Sequence, residues 1–177
     1  PAKKSLLNRR YDQIKQMMLR SKGLSFYEPN YIMPYYYSFD KTDWYKNNPD
    51  HTPHNVPINN AEYKQQISFL YPLWLNIRDT GISLNMSYTQ LMYWQIYTKS
   101  SFFRETNYTP SLFFSYHPAS NWLFSIGFRH QSNGRGGPPP EGMERSWGRV
   151  YADVAFSGEH WMVMLEPWFV VSDKTYN

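Results

Sequence analysis

The chain has 177 residues, a net charge of +4 and no cysteine, and its 7 Trp, 16 Tyr and 11 Phe make it 19% aromatic. That length fits one domain with a sizeable core. The aromatic surplus excludes a disordered chain, and the absence of cysteine excludes a disulfide scaffold, thiolate catalysis and Cys-ligated zinc. No apolar run approaches the ~18 residues of a spanning helix. A mean hydropathy of −0.68 is still compatible with a membrane β-barrel, whose strands alternate lipid-facing and lumen-facing residues.

The charge is carried by one end. Residues 1–22 hold seven basic side chains (Lys3, Lys4, Arg9, Arg10, Lys15, Arg20, Lys22) against Asp12, while the remainder is slightly acidic. Leu6, Leu7, Ile14, Met17 and Met18 recur at helical spacing, which predicts a short amphipathic helix with a solvated basic face. We therefore read 1–24 as a basic N-terminal segment, helical or flexible, and expect no nucleic-acid partner.

From about residue 25 the pattern has period two, the signature of strands with two unlike faces. A strand near Tyr31–Ser38 precedes a polar loop over residues 40–60. Ile67–Leu75 is apolar at odd positions, and Ile82–Gln90 has large residues at even positions and small polar ones at odd. Tyr108–Tyr116, Trp122–Phe128, Arg149–Phe156 and His160–Phe169 continue the alternation. Asp79-Thr80-Gly81, the run from His117 to Asn121, and Ser157-Gly158-Glu159 read as turns. A soluble sandwich would also alternate. The strand length of about nine to eleven residues, Tyr and Trp near strand ends, and Arg129, Arg149, Asp153 and Glu166 on the opposite face favour a barrel with a polar lumen.

The reactive residues cluster between 128 and 149. His130 and Ser132 lie two apart on a strand and so share a face, where an imidazole can take the serine proton. His130 continues the apolar run Trp122, Phe124, Ile126, Phe128, so the pair belongs to the outward face near the strand end. The tripeptide alone is a weak signal. Asn133-Gly134 is a turn signal whose amides could also serve as oxyanion donors.

These motifs together resemble bacterial outer-membrane phospholipase A. The resemblance rests on His130-Gln131-Ser132-Asn133-Gly134-Arg135 and Arg145-Ser146-Trp147-x-Arg149. Upstream it includes Tyr71-Pro72-Leu73-Trp74, Ser87-Tyr88-Thr89-Gln90 and Phe103-Arg104-Glu105-Thr106-Asn107-Tyr108, and downstream Glu166-Pro167-Trp168-Phe169-Val170-Val171. It runs in order from about residue 25 to the C-terminus, with the basic segment outside it. It implies an all-β, antiparallel transmembrane barrel of twelve strands in the bacterial outer membrane, of which about seven are present here. Residues 25–177 would be the phospholipase domain, apparently C-terminally incomplete.

The resemblance further implies a calcium-dependent esterase, active as a homodimer, that cleaves sn-1 and sn-2 acyl esters of phospholipids and then lysophospholipids. Ser132 would be the nucleophile, His130 the general base, and the Gly134 amide a donor to the oxyanion. Ca2+ would lie near the Arg135 carbonyl and Glu144, where better-known members have Ser; a carboxylate is a good hard ligand. Ser100 matches the calcium contact from the partner subunit, and Gln90 a dimer-interface residue. Gln90 stands on the apolar parity of its strand, beside Tyr88 and Met92, as a buried intersubunit amide would.

One departure bears directly on catalysis. The third catalytic residue of the family is Asn, and its slot here is Gly148, which has no side chain to orient an imidazole. The expectation is weaker activity than a complete triad supports, or replacement of the Asn by a neighbouring group or water. The alternative is a non-catalytic outer-membrane barrel, a porin or scaffold with a degraded site.

Overall fold

The computed structural model describes residues 4–21, 23–39, 58–118, 120–135 and 144–175. Most of the loop expected over 40–60, together with Lys3 and Lys22, lies outside them. One helix, α1 (Leu6–Ser21), is followed by β1 (Ser25–Phe26), β2 (Tyr31–Tyr37), β3 (Ala61–Trp74), β4 (Ile82–Trp94), β5 (Phe103–Tyr116), β6 (Trp122–Ser132), β7 (Arg145–Ser157), β8 (Met162–Leu165) and β9 (Trp168–Thr175). All pairings are antiparallel and join one curled sheet in the order β1-β3-β4-β5-β6-β7-β8, with β2 also on β3 and β9 also on β7. No described helix is long and apolar enough to cross a membrane.

The nine elements act as seven strands among the described residues. β1 and β2 run successively along β3, and β8 and β9 successively along β7. The break between β8 and β9 falls at Glu166-Pro167, where Pro lacks an amide for the ladder and the Pro167 carbonyl still accepts the Ala152 N–H at 3.0 Å. His160–Phe169, expected as one strand, is thus an interrupted one. β3, β4, β5 and β7 also run 13 or 14 residues, longer than the alternation suggested. The additional residues lie chiefly at one end, where both faces of β3, β5 and β7 are largely polar or aromatic and both faces of β4 are apolar or aromatic, so period two is lost.

The two faces differ as the barrel reading requires. Met86, Leu112, Phe128, Val150 and Phe169 form one cross-strand row, and all are exposed, Phe169 by 72%. The opposite face buries Ser68, Ser87, Thr89, Ser111 and Ser125 around Leu70, Phe113 and Tyr151. It also holds the Arg129–Glu166 ion pair, made through two hydrogen bonds of 2.8 and 3.0 Å. Such a face suits a polar lumen and the other suits lipid. Aromatic side chains gather at both strand ends, Tyr63, Trp94 and Phe103 at one and Tyr116, Trp122 and Phe124 at the other.

The two ends also differ. The connections around Ile77–Asp79, His117 and Ser157–Glu159 are short and form the turn end. Here α1 docks: Ser5 caps it by accepting the Asn8 N–H, the Leu6 N–H donates to the Gly158 carbonyl, and Asn8 meets His117 at 2.9 Å. Ile14 packs against the Leu70, Phe113 and Tyr151 cluster. The other end, the rim, carries the end of β6 and the start of β7.

Candidate active site

Three successive outward rows place the candidate side chains. The apolar row through Phe128 is followed, two residues further along β6, by His130, Gly148 and Ser172 in register on β6, β7 and β9. Two residues beyond lies the row Gln90, Tyr108, Ser132 and Ser146 on β4, β5, β6 and β7. Alternation along β6 therefore puts His130 and Ser132 on the lipid side, one and two steps above the apolar band, roughly 7 Å per step. Both side chains are half-buried.

His130, Ser132, Gly134, Arg135, Glu144, Ser146, Ser172 and Asp173 line one cavity of about 420 Å3 at the rim. Five expected site residues, His130, Ser132, Gly134, Arg135 and Glu144, thus meet. Gly148 lies directly opposite His130, as its expected slot demands. Ser100 does not line this cavity; it is exposed in the connection between β4 and β5, and its carbonyl accepts the Thr98 hydroxyl. Gln90 is half-buried on the outward face two strands from Ser132, and its amide oxygen accepts the Tyr88 hydroxyl at 3.2 Å.

The turn after Ser132 is held by the side chain of Asn133, for which the sequence carries only a turn signal and candidate oxyanion amides. Its buried Oδ1 accepts the N–H groups of Arg135 and Arg145 at 3.3 and 3.1 Å, and its own N–H donates to the Arg145 carbonyl. This ties the two sides of the site together across 12 residues. Gly134 follows with φ +67°, and a Cβ there would stand 2.5 Å from the Tyr108 ring, so both backbone conformation and space call for glycine.

Cationic side chains are anchored around this turn. Arg135 donates to the Arg104 carbonyl. Arg104 in turn makes two 2.9 Å bonds to the fully buried Glu62, and Arg145 reaches Glu105 at 2.7 Å. Glu144 accepts the Ser146 hydroxyl at 3.3 Å. Among the described residues no three His, Cys, Asp or Glu side chains cluster as a metal site. The oxygens available in this cavity are the carboxylates of Glu144 and Asp173, hydroxyls and main-chain carbonyls, a set suited to a hard cation.

A curled antiparallel sheet with an apolar outer face, a polar inner face and a Ser–His pair on the outer rim defines an outer-membrane β-barrel with a candidate esterase centre facing lipid. The chain belongs to the phospholipase A1 family, whose sequence pattern matches residues 7–177. That match takes in most of α1, which the individual motifs had left outside the resemblance.

Phospholipase A1 of Proteus vulgaris is 35% identical over 165 residues, which cover 85% of this chain and 52% of that protein. The chain thus spans about half the length of this relative. The outer membrane phospholipase dimer of Salmonella typhi with bound calcium superposes with a TM-score of 0.70 at 30% identity, covering 92% of this chain and 64% of that one. An asparagine-to-alanine active-site mutant of the Escherichia coli outer membrane phospholipase A gives 0.71 at 31% identity, covering 94% and 65%.

Proposed function

We propose that the protein is a calcium-dependent serine esterase that hydrolyses sn-1 and sn-2 acyl esters of phospholipids and lysophospholipids in the outer membrane. The observation that carries this reading is the placement of His130 and Ser132 on the lipid-facing side of one strand, at the edge of the apolar band and within one cavity.

Ser132 attacks the acyl carbonyl while His130 takes its proton. The tetrahedral oxyanion accepts the Gly134 N–H. Collapse breaks the ester C–O bond, and His130 returns the proton to the departing glycerol oxygen. Water, deprotonated by the same imidazole, then attacks the acyl-serine, and release of the fatty acid regenerates Ser132. Glu144 and the Arg135 carbonyl would hold Ca2+, with Ser100 supplied by a second copy of the chain. The ion would add positive charge beside the oxyanion. Residues 25–177 would form the barrel unit and 1–24 a basic segment apposed to it. Dimerisation through the Gln90 row would complete the site, consistent with the dimeric, calcium-bound form of the Salmonella typhi relative.

Fatty-acid release from mixed micelles of phospholipid and detergent tests the proposal. Release that requires Ca2+, stops with a chelator and is lost in Ser132→Ala supports it. Equal release by parent and variant, or none by either in excess Ca2+, favours a barrel with a degraded site.

A further inference from the structure

The row that carries His130 holds a serine hydroxyl of its own, one residue beyond the last motif of the resemblance. Gly148 stands between His130 on β6 and Ser172 on β9. β9 reaches this register through a bulge. Val150 pairs with Phe169 and Arg149 with Val170, but Gly148 pairs with Ser172 rather than Val171. Without the additional residue, Val171 would face Gly148 and an isopropyl group would enter the row. Slipping a strand by one residue exchanges its faces, and bulges re-aim side chains beside active sites. Here the bulge brings a hydroxyl onto the face of His130.

That hydroxyl occupies the vacant slot. Ser172 Oγ lies 2.5 Å from where a Cβ on residue 148 would sit, and Phe128 Cζ lies 2.8 Å from the same point. The two side chains roof Gly148, which is buried although Phe128 and Val150 on the same face are exposed. Ser172 also lines the cavity of His130 and Ser132. A side chain at 148 and the Ser172 hydroxyl in its present position exclude each other.

We propose that Ser172 is the positioning residue for His130. Its oxygen accepts the imidazole N–H that does not face Ser132, in the space an amide from position 148 would fill. The inference rests on reading His130 as the general base. A neutral imidazole has one N–H and one acceptor nitrogen, and a base must turn the acceptor toward Ser132. An oxygen acceptor on the far side fixes that tautomer. Catalytic hydrogen bonds of this kind tighten when substrate binds.

The test compares the parent, Ser172→Ala, Ser172→Thr and the double variant Ser172→Ala with Gly148→Asn, each in detergent micelles. Two readouts are taken: kcat and KM for micellar phospholipid, and the imidazole nitrogen signals of 15N-histidine protein, with His130 assigned by its loss in His130→Gln. The expected result is a fall in kcat of about tenfold in Ser172→Ala at unchanged KM, a modest share of what acid–base catalysis contributes. The His130 signals should pass from one tautomer to a mixture. Threonine retains both properties, and Asn at 148 returns kcat to the parent's level or above it in the double variant. With an active parent, an unchanged kcat in Ser172→Ala, or a change in KM alone, overturns the proposal. A parent that releases no fatty acid overturns the esterase reading instead. In that case unchanged His130 signals in Ser172→Ala overturn the role of Ser172, and a shift to mixed tautomers supports it.

Discussion

Arg129 and His130 are neighbours on one strand and live in opposite surroundings. Arg129 points inward, makes two bonds to Glu166 and lies over the Tyr151 ring at 4.4 Å. His130 points outward into a cavity at the edge of an exposed apolar surface. Alternation along β6 makes this contrast unavoidable. The inner face ties the sheet together through polar contacts such as the Arg129–Glu166 pair, and the outer face presents the proposed nucleophile and base where, on that reading, an acyl ester in the membrane would meet them. Changes inside are therefore expected to cost stability, and changes at the outer rim to cost turnover.

The largest expected effect is at Ser132. Ser132→Ala should lower fatty-acid release by a factor on the order of 10³ or more and leave the thermal transition of the micellar protein within about 0.5 kcal/mol of the parent. A matching loss of stability would erase the distinction between the faces. Arg129→Met tests the other side. It leaves Glu166 without its partner, so unfolding in denaturant should be easier by about 3 kcal/mol, with residual turnover following the folded fraction.

Gly134→Ala should combine both kinds of loss, because the alanine must sit at positive φ against Tyr108. A stability cost of about 1–2 kcal/mol and a fall in kcat larger than that cost explains are expected from paired unfolding and kinetic measurements. Asn133→Ala removes the acceptor of two rim N–H groups. It should cost about 1–2 kcal/mol and widen the substrate-free cavity, seen as faster hydrogen exchange at Arg135 and Arg145.

Gly148→Asn is expected to have the smallest effect. The new side chain has to displace the Ser172 hydroxyl and the Phe128 ring. A gain in turnover of about threefold, roughly 0.7 kcal/mol, is expected in the parent background. No gain with the fold intact would remove position 148 from the orienting role.

Much of this arrangement was legible in the sequence because period two survives wherever one face meets lipid and the other does not. The run Trp122, Phe124, Ile126, Phe128 and the apolar stretch of β4 placed those strands, their faces and the outward His130 and Ser132. The resemblance to the phospholipase motifs supplied the proposed roles, which spacing alone could not. The rim extensions of β3, β5 and β7 were not legible, because there both faces are polar or aromatic and alternation carries no signal. Ser172 was hidden for a different reason. Its face depends on a single bulge at Val171, and alternation counted along β9 without that bulge gives it the wrong side. The clamp made by Asn133 was not legible beyond its turn signal, because the bond that joins the two sides of the site reaches Arg145, 12 residues away.

On the proposed function, Ser132 is made reactive by His130 and stands on the lipid side of the rim. Labelling the micellar protein with an alkyl fluorophosphonate and mapping the adduct by mass spectrometry tests it most directly. One adduct is expected, on Ser132, that forms rapidly in the parent, slows by about 10² or more in His130→Gln and is absent in Ser132→Ala. An adduct on another serine, or labelling of Ser132 at the same rate without His130, would contradict it.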